Sequence, residues 1–281
     1  MNHFTKILGV LGIIAILGIS GLTYYHFSQP TEKLKLATTT SVDNTGLLEA
    51  LIERFTTGRN IKVEVLAKGT GEALRLAEDG EVDAVLVHAP NLELDFINNG
   101  YGINRTTLWY NYFLLVGPSS DPVNASNTAS IGDSFQRIYD AADSTHPFVS
   151  RGDNSGTHVK ENQIWQSMNI SVDTSLAWYL ESGKGMSSTL TTASQLEGYT
   201  LSDLGTYTNF KDSLDLIPIY QREDELLYNP YSFIAVNPEK FPVNYALAME
   251  FRQFLIGSNS FVDAYRVNNE QLFIPIGTSS P

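Results

Sequence analysis

Four consecutive hydroxyl residues, Thr38-Thr39-Thr40-Ser41, close an apolar stretch whose alternation reads as a β-strand, Lys33–Ala37. Further along, Phe148-Val149-Ser150-Arg151-Gly152-Asp153-Asn154-Ser155-Gly156-Thr157 repeats the arrangement with an arginine added. A third segment, Gly183-Lys184-Gly185-Met186-Ser187-Ser188-Thr189, again leads from glycines into hydroxyls at a helix start. Each presents backbone N–H groups, hydroxyl donors and the positive end of a helix dipole to whatever sits in front of it. Groups of this kind hold a small oxyanion and transfer nothing to it. The guanidinium of Arg151 adds donors in a rigid fork, and Gly152 and Gly156 let the backbone come close.

Blander readings exist for each segment. A strand end with one capping hydroxyl is routine, and so is a glycine turn before a capped helix. Arg151 could simply pair with Asp153. Four hydroxyls followed by Asp43, Asn44 and Gly46 exceed what a cap requires, which favours the anion site. Catalytic readings are weaker still. Ser155 and His158 could be nucleophile and base, but an orienting acid and an oxyanion hole are also needed, and no G-x-S-x-G elbow occurs. His88 and His158 belong to no clustered metal-ligand spacing. The chain therefore reads as a binding protein without catalytic residues or cofactor.

Positioning these segments requires strands that end together. Lys33–Ala37, Ile61–Ala67 and Ala84–His88 read as strands, with helices over Thr45–Phe55 and through Ala73, Leu74 and Ala77 to a cap at Gly80. This alternation predicts a parallel sheet with helices on both faces. The carboxyl ends of its strands, Thr38–Ser41, Lys68–Thr70 and His88–Pro90, then converge, which adds Thr70 and the backbone of Ala89 to the candidate ligands. Leu108–Gly117, rich in aromatics, reads as a crossing into a second lobe. That lobe contains helices at Ile131–Ala142, Thr157–Met168 and Ser187–Leu196. The chain returns near Leu216–Tyr220 and Tyr228–Val236 and ends in a helix at Val243–Ile256. The expected organisation is 1–30 as a targeting segment, 33–117 as lobe I, 118–220 as lobe II, and 221–281 as the return into lobe I.

Composition narrows the partners. The 281 residues are 42% hydrophobic and 17% charged, as in an ordinary globular protein, and the net charge of −13 makes nucleic acid an unsuitable partner. Screening confines that acidic surface to about 8–10 Å at moderate salt, so local donors decide whether an anion binds. Without cysteine there are no disulfides, thiolate metal sites or thiol nucleophiles. The run Ile7–Phe27 spans 21 residues without a charge, follows Lys6 and closes in aromatics. It fits an uncleaved membrane anchor better than a cleaved signal and places the body outside the cell.

At these residues the chain resembles the substrate-binding proteins of tungstate ABC transporters. The likeness runs over residues 33–260 and rests on Ala37–Ser41 with Asp43, Val65–Gly71, Asp83–His88, Ser150–His158 and Gly185-Met186. It implies an α/β, two-lobed type II periplasmic-binding-protein fold, each lobe a mixed sheet flanked by helices, with the ligand in the inter-lobe cleft. It further implies a monomer that captures tungstate or molybdate and delivers it to a permease and its ATPase. The residues it points to are Thr39, Thr40, Ser41, Arg151, Thr157, Ser187 and Ser188, beside Thr70 and Ala89 from the strand ends. Ser187-Ser188 stands where the family often has Gly-Ala. A phosphate receptor is the nearest alternative, with Asp43 or Asp153 accepting the ligand's proton. An anion-acting hydrolase and a tethered sensor are more distant ones.

Overall fold

The alternating run at the start of the body forms β1 (Glu32–Thr39), with Leu34 and Leu36 in one apolar cluster and Ala37 in the cluster on the opposite face. The computed structural model describes residues 32–277, so the apolar N-terminal run and the anchor expected there lie outside the described residues. α1 (Thr40–Asp43) follows directly, then α2 (Leu47–Thr56). The one helix expected across Thr45–Phe55 begins later because Gly46, at φ 72°, adopts the left-handed conformation and separates the two. α2 buries Leu47, Leu48, Leu51 and Phe55 at helical spacing.

β2 (Ile61–Lys68) and β3 (Ala84–Val87) flank β1 in parallel, placing Leu36 opposite both Val65 and Ala84. Between them runs α3 (Thr70–Glu78). α4 (Pro90–Asn98) follows β3, and the sequence reading did not contain it. Proline at its first position suits a helix start, but Glu93 is buried there, which hides the apolar face from a periodicity search.

The decisive element is β4 (Gly102–Gly117), a strand of 16 residues. Its first part, as far as Tyr112, pairs antiparallel with β9 (Tyr228–Val236); from Phe113 on it pairs antiparallel with β7 (Thr200–Asp203) and β8 (Ile217–Tyr220). The main sheet therefore has the order β10-β4-β9-β3-β1-β2, where β10 is Ile274–Pro275. The parallel strands expected from the sequence are its far edge, and antiparallel β9 and β4 make it mixed.

Packing divides at the same strand. Trp109 packs with Leu34, Phe233 and Phe251, whereas Phe113 packs with Phe135, Trp165 and Tyr220. The apolar clusters change again between Leu227 and Tyr231. Each lobe thus has its own core on both faces of the sheet. The changeover lies inside β4, upstream of the break at Pro118.

In the second lobe α5 (Ile131–Ala141) opens with a reciprocal capping box between Ser130 and Asp133. β5 (Phe148–Ser150) pairs in parallel with β6 (Tyr179–Glu181). α6 (Gly156–Ser167) and α7 (Met186–Gln195) begin at the two glycine segments, and α8 (Leu204–Phe210) follows β7 directly. α9 (Tyr245–Ile256) and α10 (Asn259–Ala264) complete the first lobe. Among the described residues no helix is long and apolar enough to cross a membrane.

Candidate anion-binding cleft

Two helix starts in different parts of the chain supply the unpartnered donors of the site. α3 begins at Thr70 after Gly69, and α6 begins at Gly156 after Ser155. They face each other across the lobes: a Cβ built on Gly71 would lie 3.6 Å from the Asn154 carbonyl, and one on Gly69 would lie 4.0 Å from Ser155 Cβ. At this junction Thr70 Oγ1, Thr157 Oγ1 and Arg151 Nε are buried and have no hydrogen-bond partner. Buried polar groups in native proteins are nearly always satisfied, and an orphan costs about 1–3 kcal/mol. Three orphan donors on two facing segments define a place for an acceptor that the protein itself does not supply.

The loop from β5 to α6 is shaped to aim these groups. Gly152 takes φ 61°, and a Cβ there would come within 2.7 Å of Glu181. The Arg151 guanidinium pairs through Nη2 with Asp153 Oδ2, so the bland reading of Arg151 is present in the structure. That pair engages one edge of the fork and leaves Nε free. Asp153 Oδ1 accepts from Ser155 N at 3.1 Å, so the carboxylate fixes both guanidinium and loop. Behind it, the buried Glu161 accepts from Ser150 Oγ at 2.7 Å, Tyr179 O–H at 2.6 Å and Trp165 Nε1 at 3.2 Å. Burial pushes its carboxyl up to about 7 despite these three donors. Gly183 N donates to the Arg151 carbonyl at 2.9 Å, which ties the start of α7 to the same loop.

The hydroxyl run is organised differently. Thr38 Oγ1 donates to the Leu86 carbonyl and belongs to the sheet. Thr39 Oγ1 lies 3.0 Å from Ser41 Oγ, and Ser41 Oγ lies 3.2 Å from His88 Nε2. His88 Nδ1 is 2.8 Å from Asn229 Oδ1, which can only accept, so the imidazole proton sits on Nδ1. Nε2 is then the acceptor for the Ser41 hydroxyl, and Ser41 in turn accepts from Thr39. Burial, opposed by the Asn229 hydrogen bond and aided by the nearby charges of Arg151 and Lys160, lowers the His88 pKa to about 4, so the ring is neutral at physiological pH. Asn229 Nδ2 donates to Asn111 Oδ1 at 2.7 Å and to the Tyr231 phenolic Oη at 2.9 Å, which leaves Asn111 Nδ2 as a fourth buried donor without a partner.

The remaining candidate residues are placed as follows. Thr40 is half-buried at the first position of α1. The Ala89 amide donates to Glu93 Oε1 at 2.8 Å, so it is already used within the cap of α4. Ser187 is half-buried and Ser188 exposed at the start of α7. Sequence reasoning missed Asn111, Asn229 and Lys160. Lys160 is a half-buried cation one turn beyond Gly156, with no ion pair among the described residues. A polar residue inside an aromatic strand, as Asn111 is, was the available signal.

The rival chemistries do not assemble. Ser155 Oγ caps α6 by accepting from His158 N, and the His158 ring accepts from Asn154 N at 3.0 Å, so no nucleophile–base pair forms. Among the described residues no group of three or more His, Cys, Asp or Glu side chains is placed to hold a metal ion. Asp43 is exposed.

Two lobes that bring buried, unpartnered donors together, built on a strand shared by both, define the solute-binding class of protein. Sequence comparison agrees: a family model described as the PBP superfamily domain matches residues 27–259. The tungstate-binding protein TupA of Peptoclostridium acidaminophilum is 36% identical over 83% of this chain and 80% of its own length. Among solved structures, the tungstate ABC transporter protein of Geobacter sulfurreducens is 42% identical, with a TM-score of 0.72 over 81% of this chain and 95% of that one. TupA of Desulfovibrio alaskensis G20 is 37% identical, with a TM-score of 0.75 over 87% and 98%. The chain belongs to the PBP superfamily, in the family that contains these ABC-transporter binding proteins, and has its type II fold.

Proposed function

We propose that this protein captures tungstate, with molybdate as the closest congener, outside the cytoplasm and hands it to an ABC transporter permease and its ATPase. The observation that carries the reading is the set of buried, unpartnered donors on Thr70, Thr157 and Arg151 at facing helix starts. An anion entering the cleft exchanges hydration for these donors, for the amides that open α3 and α6, and for the Arg151 charge. Thr40, Ser187 and Ser188 extend the proposed donor set, whereas the hydroxyl protons of Thr39 and Ser41 are spent on Ser41 and His88. No bond is made or broken, and the ligand leaves as it came.

The choice of dianion follows from proton accounting. Tungstate and molybdate are fully ionised at neutral pH and need only donors. Hydrogen phosphate carries a proton that needs an acceptor. The carboxylates beside Arg151 are engaged: Asp153 by Arg151 and Ser155 N, Asp203 by Thr206 N and its hydroxyl. This disfavours the phosphate alternative. Residues 1–30 would anchor the receptor to the membrane, and two lobes that part at Phe113 within β4, upstream of the 117/118 boundary expected from the sequence, and again between Leu227 and Tyr231 would close as a monomer around the ligand.

Calorimetric titration with tungstate, molybdate, sulfate and phosphate tests the reading. The expected order is tungstate and molybdate tightest, with phosphate far weaker. Arg151→Ala should weaken tungstate binding at least tenfold, about 1.4 kcal/mol. Tight phosphate binding with no response to tungstate would overturn the assignment.

A further inference from the structure

At the anion cleft the tightest approach of the first lobe to the second is the edge of one ring, closer than that of Gly69 and Gly71 to Ser155 and Asn154. A Cβ on Gly156 would lie 2.6 Å from His88 Cε1, 3.0 Å from Nδ1 and 3.2 Å from Nε2. Gly156 is the first residue of α6, beside the unpartnered Thr157, whereas His88 stands at the end of β3 in the other lobe. The contact is ring against backbone, with no side chain between them to yield.

The ring cannot move aside. Its Nδ1 is held by Asn229, its Nε2 by Ser41, and it lies against Tyr231 with centroids 4.8 Å apart. Asn229 is fixed by Asn111 and Tyr231. Phe113, the first residue of β4 to pair with the second lobe, lies 6.1 Å from the ring. His88 is therefore braced by both strands that connect the lobes, β4 and β9.

We propose that His88 is a spacer whose ring, abutting Gly156, sets the separation of the lobes and so the size of tetrahedral dianion the cleft accepts. The inference rests on the function proposed above and assigns His88 to size selection, apart from any direct bond to the anion. The donors on Thr70 and Arg151–Thr157 sit on opposite lobes, so their separation follows how far the edge of the His88 ring holds off Gly156. A dianion smaller than tungstate cannot reach both donor sets at once when the ring stops the approach. Removing the ring lets the lobes come closer. Adding a methyl at Gly156 keeps them apart.

Two variants and two measurements decide it. His88→Ala should shift the ratio of tungstate to sulfate affinity at least tenfold toward sulfate, and Gly156→Ala should weaken both anions at least tenfold. An unchanged ratio in a cooperatively folded His88→Ala protein, or wild-type tungstate affinity in Gly156→Ala, overturns the proposal. Should His88→Ala fail to fold, Gly156→Ala still decides.

The second measurement does not depend on the ligand's identity. The chain contains no cysteine, so Asp95→Cys and Gln166→Cys, both exposed and on opposite lobes, can carry a pair of spin labels. Their shortest populated separation should decrease in His88→Ala and increase in Gly156→Ala, with or without anion. Equal separations in all three proteins remove the spacer. Wild-type protein that binds no tungstate yet shows both shifts removes the proposed ligand and keeps the spacer.

Discussion

Thr157 and Thr70 carry an opposition between stability and function that isosteric substitution exposes. Each hydroxyl is buried without a partner, so Thr157→Val should raise the stability of the free protein by about 1 kcal/mol. The same change removes a donor to the proposed anion and should weaken tungstate binding by about 2 kcal/mol. Thermal unfolding of the free protein and calorimetry together check the pair; a fall in both quantities would mean that Thr157 is satisfied within the protein. Glu161 and His88 give opposite pH signatures. Burial raises Glu161 from 4.5 to about 7, so the native state holds a proton that the unfolded chain releases between those values. Its contribution is complete below pH 4.5 and is lost as pH rises through 7. His88, lowered from 6.5 to about 4, contributes fully above 6.5 and loses that contribution as pH falls toward 4. The two partly cancel in between. Urea unfolding of Glu161→Gln should show a stability gain over wild type that grows from pH 4.5 to 7, up to about 3 kcal/mol. A gap that stays constant with pH would show that Glu161 does not titrate in that window.

Helix starts and strand ends carry the architecture one level up. Ser130 caps α5 through its box with Asp133, and α5 packs on α6 through Phe135 and Trp165, well along both helices from the donors at the start of α6. Ser130→Ala should cost about 1 kcal/mol of stability and leave anion affinity unchanged. A matching loss of affinity, measured in the same calorimetric titration, would mean that α5 transmits strain to α6. Much of this level was legible in the sequence. β1, β2, β3, α2, α3, α6 and α7 fall within a few residues of the segments read from the sequence, and in α2 and α3 the buried residues keep the helical period that the residue types display. α4 and α8 were not legible. α4 buries the charged Glu93 against Arg105, and α8 spans seven residues and buries Gly205, Thr206, Tyr207 and Thr208. Neither displays an apolar stripe. Their burial is set by neighbours distant in the chain.

For the molecule as a whole, the net charge of −13 opposes the approach of a dianion, while the cleft itself holds buried donors that salt does not reach. Added salt screens the repulsion between protein and ligand in solution. The association rate for tungstate, followed by stopped flow, should therefore rise from low to physiological ionic strength, with the dissociation rate nearly constant. A rate that falls with salt would show that a local field from cations such as Lys160 outweighs the net charge. The core arrangement explains how two lobes can move as bodies. Each has apolar clusters on both faces of its sheet, and β4 and β9 pass between them.

The order of donor segments, the absence of catalytic pairing and the α/β character were written in the chain, because hydroxyl, glycine and periodic apolar residues act over a few neighbours. Tertiary structure alone decided which donors are free. Thr39 and Ser41 look equivalent to Thr70 and Thr157 in the sequence, yet the first pair is hydrogen-bonded to His88 and to each other, and the second is unpartnered. It also decided that Arg151 serves Asp153 and the cleft together, and that His88 meets Gly156. Such matters depend on which atoms lie within about 3 Å after distant segments pack, and a hydrogen bond's range is too short for any local pattern to encode it.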